Sequence, residues 1–203
     1  SLDEAKEVFY QQHAVLHRRS MSGMDGWSYA DEIFSDLDDH EYRMIEENGE
    51  HSIIWVLWHI TRIEDITMNV LVQDADQFYH QEGWKGILNS PIHYTGNQIT
   101  SDDLLNLTES IDPNMLLNYR DAVGVGTRRI IKTINTEKLS DDVSLQGLER
   151  IVREGAVLSE SKELLAYWGK RKIYQLLLMP PTRHLLVHLN EAQNLKTAIR
   201  KRK

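Results

Sequence analysis

The chain has 203 residues and carries 31 Asp and Glu against 23 Lys and Arg, for a formal charge of −8. That balance excludes nucleic acid as a general partner, because phosphate binding needs concentrated cationic surface. The lack of cysteine excludes disulfides and thiolate metal sites, and no apolar run is long enough to span a membrane.

These properties predict one soluble, cytoplasmic domain over residues 1–203, with no secretory pattern and no membrane partner. The basic "RKRK" at 200–203 reads as a solvated end. Helical periodicity dominates throughout. From Leu2 to Arg19, Ala5, Phe9, Gln12 and Leu16 share one face, which Val8 and Val15 widen. The polar loop "SMSGMDG" follows, and then the acidic stretch "SDLDDHEYRMIEENGE", which holds at least one short helix. Ser52 is placed to cap a long second helix that runs to Gln73. From Asp74 to Thr100, Gly83, Gly86, Pro91 and Gly96 punctuate a long excursion, and connections of that length are often functional.

Helical patterning resumes in "SDDLLNLTESI". Asp112 and Pro113 open a third long helix to Asn135, with Pro113 in the first turn. A weaker segment spans Leu139 to Leu158, and "SESKELLAYWG" has Ser159 and Ser161 as candidate caps and Gly169 as a stop. Pro180 and Pro181 break the chain, and Thr182 can cap a last helix to Ile199. Strand alternation is nowhere sustained. The predicted class is therefore all-α, an up-and-down four-helix bundle with short extra helices in the connections.

Inside the second helix, "IIWVLWHITRIEDITMNVLV" contains a histidine, His59, that is either a packed core residue or a ligand. In the last helix His184 and His188 stand four apart, so both leave one face and can grip a single ion. Glu191, three residues further on, lies on the same side as a supporting acceptor. The same spacing occurs at His13 and His17, but beside Gln11, Gln12, Arg18 and Arg19. That pair reads as surface or helix-packing residues that stand apart from the His59, His184 and His188 group.

"HSIIWVLWHITRIED" followed far along by "LLLMPPTRHLLVHLNEAQ" resembles the DinB-like superfamily of bacterial proteins. The resemblance implies a metal-binding four-helix bundle, with its ligand triad falling on His59, His184 and His188. Many relatives continue after the last ligand with a glutamine where this chain has Glu191. In another register His188 would be the first ligand and Ala192 would stand where the second belongs, leaving the site dead. The register that keeps three histidines is preferred. Three neutral imidazoles leave one position of a divalent ion open, with nitrogen–zinc bonds of about 2.0–2.1 Å, and either zinc or nickel suits nitrogen donors. Glu191, together with Glu64 and Asp65 behind His59, is expected to orient the ligands.

The resemblance further implies thiol-dependent transferase or isomerase chemistry on a small-molecule substrate, with a low-molecular-weight thiol as co-substrate, and a homodimer. The dimer expectation also leans on Tyr79 and Trp84 as exposed aromatics. The competing reading is a degenerate, non-catalytic bundle that binds a small molecule or merely dimerises. "GVGTRR" at 124–129 lacks the lysine and the preceding strand of a phosphate loop and reads as a close helix approach. Trp55, Trp58, Trp84 and Trp168 can line a pocket, although the first two, at helical spacing, suit a core.

Overall fold

A computed structural model describes residues 2–45, 51–81 and 83–202. Among them there is no strand; one isolated bridge joins Asp142 and Lys172. Four long helices organise the chain: α1 (Leu2–Leu16), α2 (Ile53–Asp65), α3 (Pro113–Thr133) and α4 (Leu185–Lys201). Shorter helices at Tyr29–Phe34, Asp39–Arg43, Ser101–Ser110, Leu145–Arg153 and Lys162–Gly169 fill the connections. Residues 46–50, the end of the predicted acidic stretch, lie outside the described residues.

α2 is the axis of the molecule. Ser52 caps it by accepting the Trp55 amide at 3.1 Å, and a π-helical stretch, Ile66–Val72, continues it without a break. Every residue from Ile53 to Val72 is buried, as expected of a helix packed on all sides. α2 packs against α3 and α4, while α1 touches both of those. One apolar cluster surrounds its first half, including Ile54, Leu57, Leu116, Leu185 and Leu189. A second surrounds its π-helical end, where Val143, Ile151, Trp168 and Leu176 meet Ile66 and Leu71.

Several element boundaries differ from the sequence expectations. α1 stops at Leu16 rather than Arg19, because Arg18 is extended (φ −63, ψ 148) and pairs with Asp121 of α3 at 2.7 Å. The carbonyls this leaves at the helix end are taken by side chains: Arg120 donates to Leu16 O and Ser28 to His17 O. Asp112 caps α3 with Pro113 in the first turn, as the sequence indicates. Thr182 lies inside the helical lead-in and caps no helix among the described residues. A π-helical segment, Met179–His184, leads directly into α4, and Pro180 and Pro181 sit near its start, where a missing N–H costs little. Ser161 precedes its helix but makes no capping bond. Tyr79, expected on the surface, is fully buried, and Trp84 is half-buried against Tyr119.

Candidate metal centre

His59 is fixed by the long excursion. Three successive carbonyls accept the ring N–H groups of one face of α2: Tyr94 O from Trp58 at 2.8 Å, Thr95 O from His59 Nδ1 at 2.8 Å, and Gly96 O from Trp55 at 3.2 Å. Gly96 has φ +83, and a Cβ there would stand 2.9 Å from the Trp55 indole nitrogen, so the approach requires glycine. The excursion is itself anchored by Arg62 and Asp65. Buried Arg62 donates to Asp65, Tyr119, Gln77 and His93 O. Asp65 in turn accepts the amides of Phe78 and Tyr79.

With Nδ1–H given to Thr95, His59 presents the lone pair of Nε2. His184 Nε2 lies 3.1 Å away, and one nitrogen from each of His59, His184 and His188 falls within 4.8 Å of the others. His184 ends the π-helical lead-in and His188 lies in the first turn of α4, whose Leu185, Leu189 and Ala192 face the core. His184, His188 and Glu191 follow along the flanking face. The imidazole centroids form a nearly even triangle of 5.0, 4.7 and 4.6 Å.

Glu191 ties His188 in place, accepting from Nδ1 at 2.7 Å, and with its other oxygen takes His51 Nδ1 at 2.7 Å. His51 stacks on Trp55 (3.3 Å, 6°), which stacks on His59 (4.7 Å, 5°). Burial opposes ionisation of Glu191, but the hydrogen bonds from His188 and His51 prevail and bring its pKa down to about 2. Burial, followed by repulsion from His188, lowers His59 to about 3; burial likewise holds His184 well below the usual imidazole range. Neutral rings at His59 and His184 and an ionised carboxylate behind His188 suit metal ligation.

The donor set fits a divalent ion. Nitrogens bound at about 2.0–2.1 Å in a tetrahedron would stand about 3.3 Å apart, close to the 3.1 Å between His59 and His184. The outer nitrogens of His59 and His188 are held by a carbonyl and a carboxylate, the usual partners of metal-bound imidazoles. His184 Nδ1 has no partner among the described residues.

Glu64 and Asp65, expected to support His59, are engaged elsewhere. Asp65 reaches it only through the anchored excursion. Glu64 points toward α1, where Oε1 meets His13 Nε2 at 2.9 Å and Oε2 meets His17 Nε2 at 3.1 Å. Both histidines are fully buried and His17 packs on α3, so of the two readings of that pair the surface one is corrected and helix packing holds. Thr127 donates to Glu64 at 2.7 Å. Gly124 admits the His17 ring, since a Cβ there would lie 2.8 Å from its Nδ1. "GVGTRR" is thus a close helix approach.

This second group also has the donors for an ion. Its outer nitrogens, His13 Nδ1 and His17 Nδ1, lack partners among the described residues, and the nearby Arg120 cation helps burial depress His17 to about 3. Without a metal, the two Nε2 atoms pair with the two oxygens of Glu64, while both Nδ1 atoms remain without a partner among the described residues. The cluster reads as a buried polar clasp between α1 and α2.

The sequence reading missed His51 and the carbonyls of 94–96. The only signal for His51 is its i, i+4, i+8 alignment with Trp55 and His59; backbone acceptors leave no signature in residue types.

Among known families, the model described as the DinB superfamily matches residues 25–157. The matched segment includes His59 and Glu64 but ends before His184 and His188. No curated protein matches the chain. No helix among the described residues is long and apolar enough to cross a membrane.

Proposed function

From the premise that the chain belongs to the DinB superfamily, we propose that it is a divalent-metal protein whose ligands are His59, His184 and His188. The observation that carries this is the convergence of three imidazoles, two of them oriented by polar partners behind the ring. Because the family match stops short of α4, the ligand pair rests on geometry. Zinc or nickel suits the donors. A bound ion with an open position would lower the pKa of a coordinated thiol or water and provide a nucleophile at neutral pH.

In this reading the protein is a thiol-dependent transferase, with a metal-dependent hydrolase as the nearest alternative. The protein's own residues hold the ligand rings, supply the Glu191 carboxylate and shape the approach. A cleft lined by His51, Trp55, Gly96, Thr100 and Leu104 lies beside the stacked rings of His51 and Trp55 and offers room for a small molecule. The test is metal analysis of tag-free protein reconstituted with zinc, followed by titration of the cobalt-substituted form with a low-molecular-weight thiol. Stoichiometric metal and a sulfur-to-cobalt charge-transfer band support the transferase reading. Metal without the band supports the hydrolase. Absence of metal supports a non-catalytic bundle.

We also propose that α1 to α4 form an up-and-down bundle and that two copies associate. Support for the dimer comes from exposed Val8, Leu178 and Leu186, which line a groove between α1 and the start of α4. It does not come from Tyr79, which is buried. Sedimentation at micromolar protein tests it, and a single monomeric species refutes it.

A further inference from the structure

We propose that His51, held by Glu191, is the general base that takes the proton of the incoming nucleophile; this rests on the thiol-dependent reading above. Glu191 places one oxygen on His188 Nδ1 and the other on His51 Nδ1, each at 2.7 Å. The carboxylate therefore sets the tautomer of two imidazoles at once. His188 is left with Nε2 for the centre, and His51 is left with Nε2 as a proton acceptor. A carboxylate that fixes the tautomer of a base and stabilises the imidazolium is a recurrent catalytic arrangement.

The placement of the ring suits the task. His51 is not part of the apolar core; its side chain is 24% exposed, and it lines the cleft beside Trp55 and Gly96. The column His51–Trp55–His59 runs along one face at 3.3 and 4.7 Å, so a molecule in the cleft meets His51 two rings away from the triad's His59. Nothing in a purely structural account requires a second histidine on Glu191, since His188 alone would orient itself on that carboxylate.

The step balances. The thiol S–H bond breaks, its electron pair stays on sulfur as the thiolate, and the proton passes to His51 Nε2. The resulting imidazolium keeps its Nδ1–H on ionised Glu191.

The test is calorimetric titration of zinc-loaded protein with 2-mercaptoethanol at neutral pH, in buffers of different ionisation enthalpy. Wild-type protein should keep the thiol proton, so the apparent enthalpy should not depend on the buffer. His51→Gln should bind zinc as before but lose that retention and release the proton to the buffer. Equal proton release by the two proteins overturns the proposal. If wild-type protein binds zinc but no thiol, the thiol reading falls and this step falls with it. If it retains the proton while His51→Gln does not, both stand. A second measurement needs no variant. Diethyl pyrocarbonate should acylate His51 on Nε2, and 2-mercaptoethanol should slow that acylation in the zinc-loaded protein. Acylation of His51 at the same rate with and without thiol contradicts the assignment.

Discussion

Glu191 is the side chain on which the polar order of the centre depends. It joins a ring of the triad to a ring of the cleft, and replacing the carboxylate with an amide removes the charge that both N–H groups meet. Glu191→Gln is expected to weaken zinc binding by about 10–100-fold. Competition with a chelating dye measures this, and unchanged affinity would mean the bridge does not support the ligand. Gly96 matters equally, though it has no side chain. Alanine there would adopt a left-handed backbone and press on the Trp55 indole, so Gly96→Ala should cost about 1–3 kcal/mol in urea denaturation. A neutral result would show that the 94–96 carbonyls are not held where the structure places them.

Helices were readable to the extent that their determinants are local. Ser52 and the Asp112–Pro113 pair mark true starts because caps act within one turn. The end of α1 was not readable, because Arg18 leaves the helix to pair with Asp121, 103 positions away. The start of α4 was misread because proline is tolerated in a first turn, so Pro180–Pro181 lies within the helical lead-in instead of before it. His184 and His188 declared themselves by spacing. His13 and His17 have the same spacing, and their polar neighbours hid an inward face whose acceptor, Glu64, lies 51 and 47 positions away. That clasp makes α3 sensitive at Gly124, where a methyl group would meet the His17 ring and Met21. Gly124→Ala should destabilise by about 1–3 kcal/mol. Gly86→Ala, with open space around it, should be neutral or stabilising by up to about 1 kcal/mol. Equal unfolding midpoints for the two variants would contradict the close approach of His17 and Met21 to α3.

The molecule as a whole buries imidazoles that its unfolded chain would protonate. His17 and His59 fall from 6.5 to about 3 on folding, in each case chiefly through burial. The unfolded state therefore binds more protons between those values. Stability is fully present above about pH 6.5 and is lost as pH falls toward 3, by up to about 1.4 kcal/mol per pH unit for each such histidine. The lowered pKa of Glu191 adds a further loss below about 4.5. Urea midpoints of metal-free protein should fall steadily from pH 7 to pH 4, and a flat profile would contradict the buried neutral rings. The claim on which the rest depends is that the three converging histidines bind one ion. Zinc titration of metal-free wild-type and His188→Ala proteins, read by calorimetry, tests it most directly. The wild type should show a tight binding event that the variant lacks, with both folded by circular dichroism; equal zinc affinity in the two proteins would contradict the centre proposed here.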